Sequence, residues 1–368
     1  MNCEWFGECG SCTLPLEYND QLAIKKRDFL AQFEPFGVKD IEVFTSAKSH
    51  YRNRGEFRVW HEESGGLTLA MFKKNGLVAV SHCPAMHKRF NEMIGGVLAF
   101  LDERSISRSL FEIDFLSSTD GADFILILIY HRAIDDEWVN LAQQLADRYH
   151  ISVIGRSKKQ KIVIGNEYIN ETVFVGGDRY SFIQSFASFT QPNGGVNAQM
   201  IGWVTNMAAK SRGDFLELYC GNGNFTIPVS KQSDRVVAIE QNKNAIVIAK
   251  TNAENNHSKN ISFVRMNANE FSDALRKVRE FNRLKEIDLD SYHFKTALVD
   301  PPRAGLDLGS LEIISQIDSI IYISCNPISL AENLQTLTQT HYITHAAIFD
   351  QFPYTHHIEC GVYLERNK

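Results

Sequence analysis

The 368-residue sequence lacks any apolar run long enough to cross a membrane, and Met1 to Cys9 lack the apolar core of a secretion signal. Low-complexity tracts and fixed-period repeats are also missing, so we expect disorder to be confined to the ends of the chain. These absences predict a cytoplasmic protein without a membrane partner, in a compartment where thiols stay reduced. Its seven cysteines are therefore better candidates for metal binding or catalysis than for disulfides.

The sequence also lacks a surplus of basic residues, because it contains 38 Lys and Arg but 44 Asp and Glu, which gives a net charge of −6. Phosphate binding depends on Lys and Arg, so this balance by itself argues against a nucleic-acid partner. Basic residues nevertheless cluster locally, at Arg52-Asn53-Arg54 with Arg58, at Lys73-Lys74, at 156–161 and at 276–285. Taken singly, such a cluster is more often a solvated surface, so the clusters permit RNA binding without showing it.

The length favours two domains, and the pattern of elements changes near residue 175. Before it, alternating strands around 57–80 turn at Gly65-Gly66, a helix covers 86–101, a buried strand covers 124–130 and an amphipathic helix covers 137–149. After Gly176-Gly177, strands and helices alternate regularly. We therefore predict an α+β N-terminal domain over 1–175 and an α/β domain over 176–368.

The second half predicts a doubly wound parallel sheet. Its expected strands are 214–219, 236–240, 261–265, 296–300 and 319–324, with a helix over 244–255. The last two strands, 344–349 and 360–365, lack a helix between them and should pair antiparallel. This arrangement suits a Rossmann-like class I methyltransferase better than a dehydrogenase.

A turn with the pattern Gly221-Asn222-Gly223 follows the first of these strands and lets bare backbone approach a ligand. Glu240 ends the next strand, where a carboxylate can hold two ribose hydroxyls. The third glycine of the dinucleotide pattern is missing, because position 226 is Thr. A tight turn without function remains an alternative, but adenosylmethionine fits better than a cofactor with a pyrophosphate.

Two further strand ends predict the reaction site. Asp300-Pro301-Pro302-Arg303 forms a rigid loop at the carboxyl edge of the sheet, and Cys325 ends the following strand before Asn326-Pro327. A cysteine there suggests attack on carbon: a thiolate adding to carbon 6 of uracil would activate carbon 5 towards a methyl sulfonium. Glu359 is then a candidate base for the carbon 5 proton, and Arg303 a cation that favours the thiolate. A buried structural role is the alternative for Cys325, while His356 and His357 are equally consistent with bases, ligands, structural residues or RNA contacts.

Taken together, these motifs resemble the RNA uridine-5-methyltransferase family. The resemblance rests on the ordered segments 217–225, 300–303, 324–327 and 349–359, and it extends from about His50 to the C-terminus. Within the family the chain looks most like the bacterial tRNA branch, whose members modify the T-loop uridine at tRNA position 54. Nothing before Cys3 could house the additional β-barrel of the ribosomal RNA branch, which also favours tRNA.

The resemblance implies a role for each of the matching residues. Cys325 would be the nucleophile and Glu359 the proton acceptor, and the residues around adenosylmethionine would be Gln191, Tyr219, Asn224, Glu240 and Asp300. The N-terminal domain would bind the tRNA T-loop, or another RNA that contains such a loop, with Arg52 or Arg54 as contacts. The target uridine would have to swing out to reach Cys325.

One feature departs from the tRNA branch: Cys3, Cys9 and Cys12, followed by Cys83. Some ribosomal RNA relatives carry such a set and bind a four-iron cluster, so the resemblance implies a [4Fe-4S] site here. A Cys-x2-Cys pair alone indicates zinc at least as readily. The cysteines also keep a 23S ribosomal RNA methyltransferase open as an alternative function, and an RNA-binding or tRNA-folding module with secondary catalysis is another.

Overall fold

The computed structural model describes residues 1–63 and 66–368, so Gly65 of the expected turn lies outside the described residues. In chain order the strands are β1 Glu42–Phe44, β2 Arg54–His61, β3 Leu67–Lys73, β4 Gly76–Val80, β5 Leu110–Ser117, β6 Phe124–Tyr130, β7 Ser152–Ser157, β8 Gln160–Ile164, β9 Tyr168–Val175, β10 Asp178–Ser185, β11 Asp214–Leu218, β12 Val236–Glu240, β13 Ile261–Arg265, β14 Phe294–Val299, β15 Ser319–Ser324, β16 His341–Phe349 and β17 Glu359–Arg366.

The helices are α1 Tyr18–Phe33, α2 Lys88–Asp102, α3 Asp136–Tyr149, α4 Gly194–Ala208, α5 Thr226–Ser230, α6 Lys243–Asn255, α7 Ala268–Leu275, α8 Leu308–Ile314 and α9 Pro327–Leu337. Across the described ranges, no helix is both long and apolar enough to cross a membrane.

The second half of the chain forms most of an eight-stranded sheet with the order β1-β16-β17-β15-β14-β11-β12-β13. The run from β15 to β13 is parallel, whereas β17 pairs antiparallel with both β15 and β16. Its central strands are apolar on both faces because helices cover each side. The predicted Rossmann-like fold and the antiparallel last pair are therefore confirmed.

The first half forms a seven-stranded sheet with the order β4-β3-β2-β5-β6-β7-β8. Strand β6 is apolar at every position because both of its faces are covered: Phe124, Leu126 and Leu128 pack in the core that includes residues of α2 and α3, while Ile125 and Ile127 pack in a second cluster on the opposite face. Neighbouring strands are antiparallel except β6 and β7, which α3 connects in parallel. The predicted α+β character of this half is confirmed.

Residues 18–44 belong to the sheet of the second half, although they precede residue 175. Strand β1 pairs in parallel with β16, and Phe29 and Phe33 of α1 pack in the same core as Val237 and Ile239 of β12. The N-terminal region over 1–175 is therefore not one continuous unit of packing, since its first helix and strand bury their apolar faces against the larger sheet. The boundary near 175 falls at the end of β9, in its hairpin with β10.

Candidate active site

The turn after β11 brings bare backbone to the carboxyl edge of the larger sheet. Tyr219, Gly221 and Gly223 all have positive φ, at 65°, 55° and 87°, so the chain reverses sharply before α5. A side chain at Gly223 would also crowd Ile227, whose Cδ1 lies 3.2 Å from the place that a Cβ would occupy. Glu240, at the end of β12, accepts a hydrogen bond from the Gly221 amide at 3.2 Å. The predicted carboxylate therefore lies directly beside the turn.

One cavity of about 440 Å³ opens at this edge and gathers the candidate residues from distant parts of the chain. Its lining includes all seven residues predicted for catalysis and cofactor binding: Gln191, Tyr219, Asn224, Glu240, Asp300, Cys325 and Glu359. The sheet causes this convergence, because β11, β12, β14 and β15 run parallel and end at one edge. The individual roles of these residues remain predictions.

Strand pairing sets Cys325 and Glu359 side by side. Cys325 follows β15, and Glu359 is the first residue of β17, which pairs antiparallel with β15 so that Ser324 lies opposite Cys360. Asn326 then caps α9 by accepting from the Ile328 amide, which places Cys325 between a strand end and a helix N-terminus. The Glu359 side chain is 3% exposed, and the Cys325 side chain is half-buried.

Burial and neighbouring carboxylates dominate the electrostatics of the pair. Burial, followed by Glu359 and Asp300, raises the pKa of Cys325 to about 11, although Arg303 acts in the opposite direction. Burial also raises the pKa of Asp300 to about 7 and that of Glu359 well above its ordinary value. Arg303 thus favours the thiolate as expected, but burial and the two carboxyl groups outweigh its effect on the pKa of Cys325.

Two acceptor atoms of the cavity residues lack a hydrogen-bond donor among the described residues. Gln191 Oε1 and Glu359 Oε2 are buried, and neither has a hydrogen-bond partner among the described residues. Unpartnered buried acceptors are costly, so a donor brought by a bound molecule would stabilise them. This observation supports a polar ligand that contacts Gln191 and Glu359.

Sequence reasoning missed two buried polar residues that support the cavity. Asn197 of α4 exchanges hydrogen bonds of 2.9 Å with Asn224 and so fixes its amide. Glu217 lies within β11, where burial raises its pKa to about 8. A polar residue between two apolar neighbours was the available signal for both, with Val196 and Ala198 beside Asn197 and with Leu216 and Leu218 beside Glu217.

Arg52 and Arg54 link the smaller sheet to the loop that carries Gln191. Arg54 donates to the Ser188 carbonyl at 2.9 Å and lies 4.1 Å from the centre of the Phe186 ring, while Arg52 Nε donates to the Arg54 carbonyl. The expected RNA contacts of both residues remain predictions. His356 and His357 are exposed and do not line the cavity, so the structure does not bring either of them to it as a base.

Cys3, Cys9, Cys12 and Cys83 are free thiols, and each of these residues is partly exposed. The electrostatic influence of Cys83, Cys9 and Cys3 adds to burial in raising the pKa of Cys12 to about 12, so the thiols lie in one neighbourhood. Within residues 1–63 and 66–368, however, no group of three or more His, Cys, Asp or Glu side chains is arranged to hold a metal ion. The metal site predicted at these four cysteines is therefore not shown.

Known proteins are similar to this chain in sequence and in fold. The sequence profile of the tRNA (Uracil-5-)-methyltransferase family matches residues 17–367. The tRNA/tmRNA (uracil-C(5))-methyltransferase of Sulfurovum sp. is 43% identical, with all of both chains covered, and that of Sulfurimonas denitrificans is 44% identical over 99% of each.

A solved structure also matches: the Pyrococcus abyssi tRNA (uracil-54, C5)-methyltransferase in complex with S-adenosyl-L-homocysteine. The TM-score is 0.74 at 22% identity, over 95% of this chain and 84% of that one, which supports the fold. The profile match and the full-length relatives decide the family. The chain belongs to the tRNA (uracil-5-)-methyltransferase family of enzymes.

Proposed function

We propose that this enzyme transfers a methyl group from S-adenosylmethionine to carbon 5 of the T-loop uridine at tRNA position 54. The single observation that carries the proposal is the shared cavity, in which Cys325 and Glu359 adjoin the turn and the carboxylate Glu240. The names of the full-length relatives, which include tRNA and tmRNA, support tRNA or another RNA with a T-loop as the substrate.

The residues of the cavity fit adenosylmethionine. Glu240 is available for the ribose hydroxyls, and the unpartnered Gln191 Oε1 and the fixed amide of Asn224 offer further polar contacts. The donor supplies an electrophilic methyl group on a positively charged sulfonium. A positive charge beside Asp300, whose pKa burial raises to about 7, favours the ionised carboxylate.

The chemistry needs two residues of this chain. The Cys325 thiolate adds to carbon 6 of the uracil, which makes carbon 5 nucleophilic enough to take the methyl group. The bond between that methyl group and the donor sulfur would break, and the donor would leave as an uncharged thioether. Glu359 then accepts the carbon 5 proton, and the bond from carbon 6 to sulfur breaks to release the Cys325 thiolate. Because burial raises the pKa of Glu359, its ionised form is a stronger base than an exposed carboxylate.

We assign binding of the RNA substrate to the smaller sheet within residues 1–175. Arg52 and Arg54 lie between this sheet and the Gln191 loop, where a phosphate next to a flipped-out base would meet two guanidinium groups. The methyltransferase domain would cover 176–368 together with α1 and β1, which complete its sheet.

A methylation assay on unmodified tRNA with methyl-labelled donor tests the proposal. We expect label in tRNA with uridine 54 and none in the same tRNA carrying cytidine there, and tRNA containing 5-fluorouridine should trap a covalent complex. Label in a 23S ribosomal RNA fragment but not in tRNA would instead establish the ribosomal alternative. Methylation without any trapped complex would remove Cys325 from the role of nucleophile.

A smaller proposal concerns Cys3, Cys9, Cys12 and Cys83, which we infer to bind a [4Fe-4S] cluster. Only the mutual electrostatic influence of these thiols supports it, and a bound cation would favour their ionised forms. The cluster would stabilise the N-terminal segment rather than exchange electrons, since methyl transfer is not a redox reaction. Four iron and four sulfide per chain after anaerobic purification are expected, whereas stoichiometric zinc would contradict the cluster.

A further inference from the structure

The loop between β16 and β17, residues 350–358, leads directly into Glu359. Its first residue continues a strand, as the Asp350 amide donates to the Phe44 carbonyl of the neighbouring β1. Further along, Tyr354 has a positive φ of 62°, a conformation that side chains other than glycine seldom adopt without support. Strand pairing sets the backbone of Glu359, and the loop immediately before it bears on where its side chain lies.

Helix α1 holds the loop through two buried polar residues one turn apart. Lys25 Nζ donates to Asp350 Oδ1 at 2.6 Å and to the Phe352 carbonyl at 3.1 Å. Gln21 accepts from the Tyr354 amide at 2.7 Å. Gln21 is fully buried and Lys25 is 4% exposed, so both lie on the helix face turned towards the loop.

A buried lysine is expensive unless its charge is compensated, and here one carboxylate and one carbonyl oxygen provide the compensation. The apolar face of α1 needs no charge to pack, because Phe29 and Phe33 already bury it against the larger sheet. The charge of Lys25 is therefore not needed to attach α1 to the larger sheet. Its partners, Asp350 and Phe352, both belong to the loop that ends at Glu359.

We propose that Lys25, paired with Asp350 and supported by Gln21, is a positioning residue that holds the 350–358 loop so that Glu359 reaches the carbon 5 proton. Lys25 does not line the cavity. The inference rests on the proposed function, since it assigns a purpose to the placement of the proton acceptor. It predicts a defect in one step of the reaction, the release of product.

Methyl transfer and product release place different demands on the site. Adduct formation needs Cys325, which is held by β15 and the start of α9 rather than by the loop. Only the removal of the carbon 5 proton, which frees the Cys325 sulfur, needs Glu359. A displaced Glu359 should therefore leave methylated RNA attached to the enzyme.

The test compares Lys25→Met with Lys26→Met in the full-length enzyme on tRNA with ordinary uridine. Lys26 is the matched control because it pairs with Asp40 at the exposed surface. For Lys25→Met we expect kcat to fall by about 100-fold, the scale of a catalytic group displaced by 1 Å, with an unchanged KM for tRNA. A denaturant-stable complex of enzyme and methyl-labelled RNA should accumulate, and Lys25→Arg should restore part of the release rate.

Loss of folding could mimic a loss of kcat, so a double variant, Lys25→Met with Asp350→Asn, removes both buried charges. If this variant is as stable as the wild type and still accumulates the labelled complex, positioning is supported. A return of normal release in the double variant would overturn the proposal, because the Lys25 contact with Phe352 would still be missing. If the wild type forms no complex with 5-fluorouridine tRNA, the proposed function itself fails, whatever the Lys25 variants do.

Discussion

The carboxyl edge of the larger sheet and the N-terminal cysteine segment differ in what holds their residues. The register of β15 and β17 sets the backbone at Cys325 and Glu359, and the end of β12 sets the place of Glu240. Cys3, Cys9 and Cys12 precede α1, and Cys83 lies in the connection between β4 and α2, so all four are carried by loops. A site held by paired strands is organised before any ligand arrives, whereas a site on loops depends on its ligand for its final arrangement.

The two regions also meet at one point of the chain. The amides of Thr13 and Leu14, just after Cys12, both donate to the Tyr354 carbonyl at 2.9 Å, in the loop that precedes Glu359. Changes at the strand-held residues should abolish or stall the reaction, and changes at the cysteines should affect stability more than chemistry.

The largest effect is expected from Cys325→Ala. Removing a covalent nucleophile should lower the rate on the order of 10⁶-fold, because carbon 5 is no longer activated. The measurement is incorporation of labelled methyl into tRNA, together with trapping by 5-fluorouridine tRNA. Cys360→Ala is the matched control: its thiol belongs to the neighbouring strand and donates to the Ser324 carbonyl. Residual turnover of more than a few per cent in the Cys325 variant would contradict the assignment.

Glu359→Gln should have the next largest effect. Without the base, proton removal should slow by roughly 10²–10⁴-fold, while the adduct still forms. Gel electrophoresis under denaturing conditions should show methylated tRNA attached to the enzyme. Glu365→Gln, in the same strand but paired with Tyr342 away from the cavity, should release product normally. An equal loss of adduct and turnover would indicate a different role for Glu359.

The strand-held part of this site could be predicted from the sequence because the ends of parallel strands share one edge. Gln191 lies in a loop before α4, and only the resemblance to a family identified it. The sequence could not predict that residues 18–44 join the larger sheet, because they do so through the pairing of β1 with β16 at the other end of the chain. Lys25 was missed for the same reason: its partner Asp350 lies 325 residues away.

A smaller effect is expected on the reactivity of Cys325 when Asp300 is changed. Asp300 contributes to the raised pKa of the thiol, so Asp300→Asn should lower that pKa from about 11 towards its ordinary value. At a fixed pH below the pKa, a decrease of one unit gives about ten times more thiolate and faster alkylation, although each thiolate is somewhat less nucleophilic. Mass spectrometry of the Cys325 peptide after iodoacetamide treatment across pH measures this. Asp318→Asn, just before the start of β15, is the control, and an unchanged pH profile in Asp300→Asn would show that Asp300 does not contribute to the raised pKa.

The smallest effect on turnover is expected from Cys12→Ser. The thiol lies outside the cavity. The amides of Thr13 and Leu14, just after Cys12, donate to the 350–358 loop, and such hydrogen bonds contribute roughly 1 kcal/mol each. The free energy of unfolding should fall by about 1–3 kcal/mol with loss of any bound iron, while complex formation with 5-fluorouridine tRNA continues. Denaturant titration and iron analysis measure these changes against Ser11→Ala, a neighbouring substitution that leaves all thiols in place. A Cys12→Ser enzyme that folds normally but forms no complex would break the comparison, because the loop-held cysteines would then be needed for the chemistry at Cys325 itself.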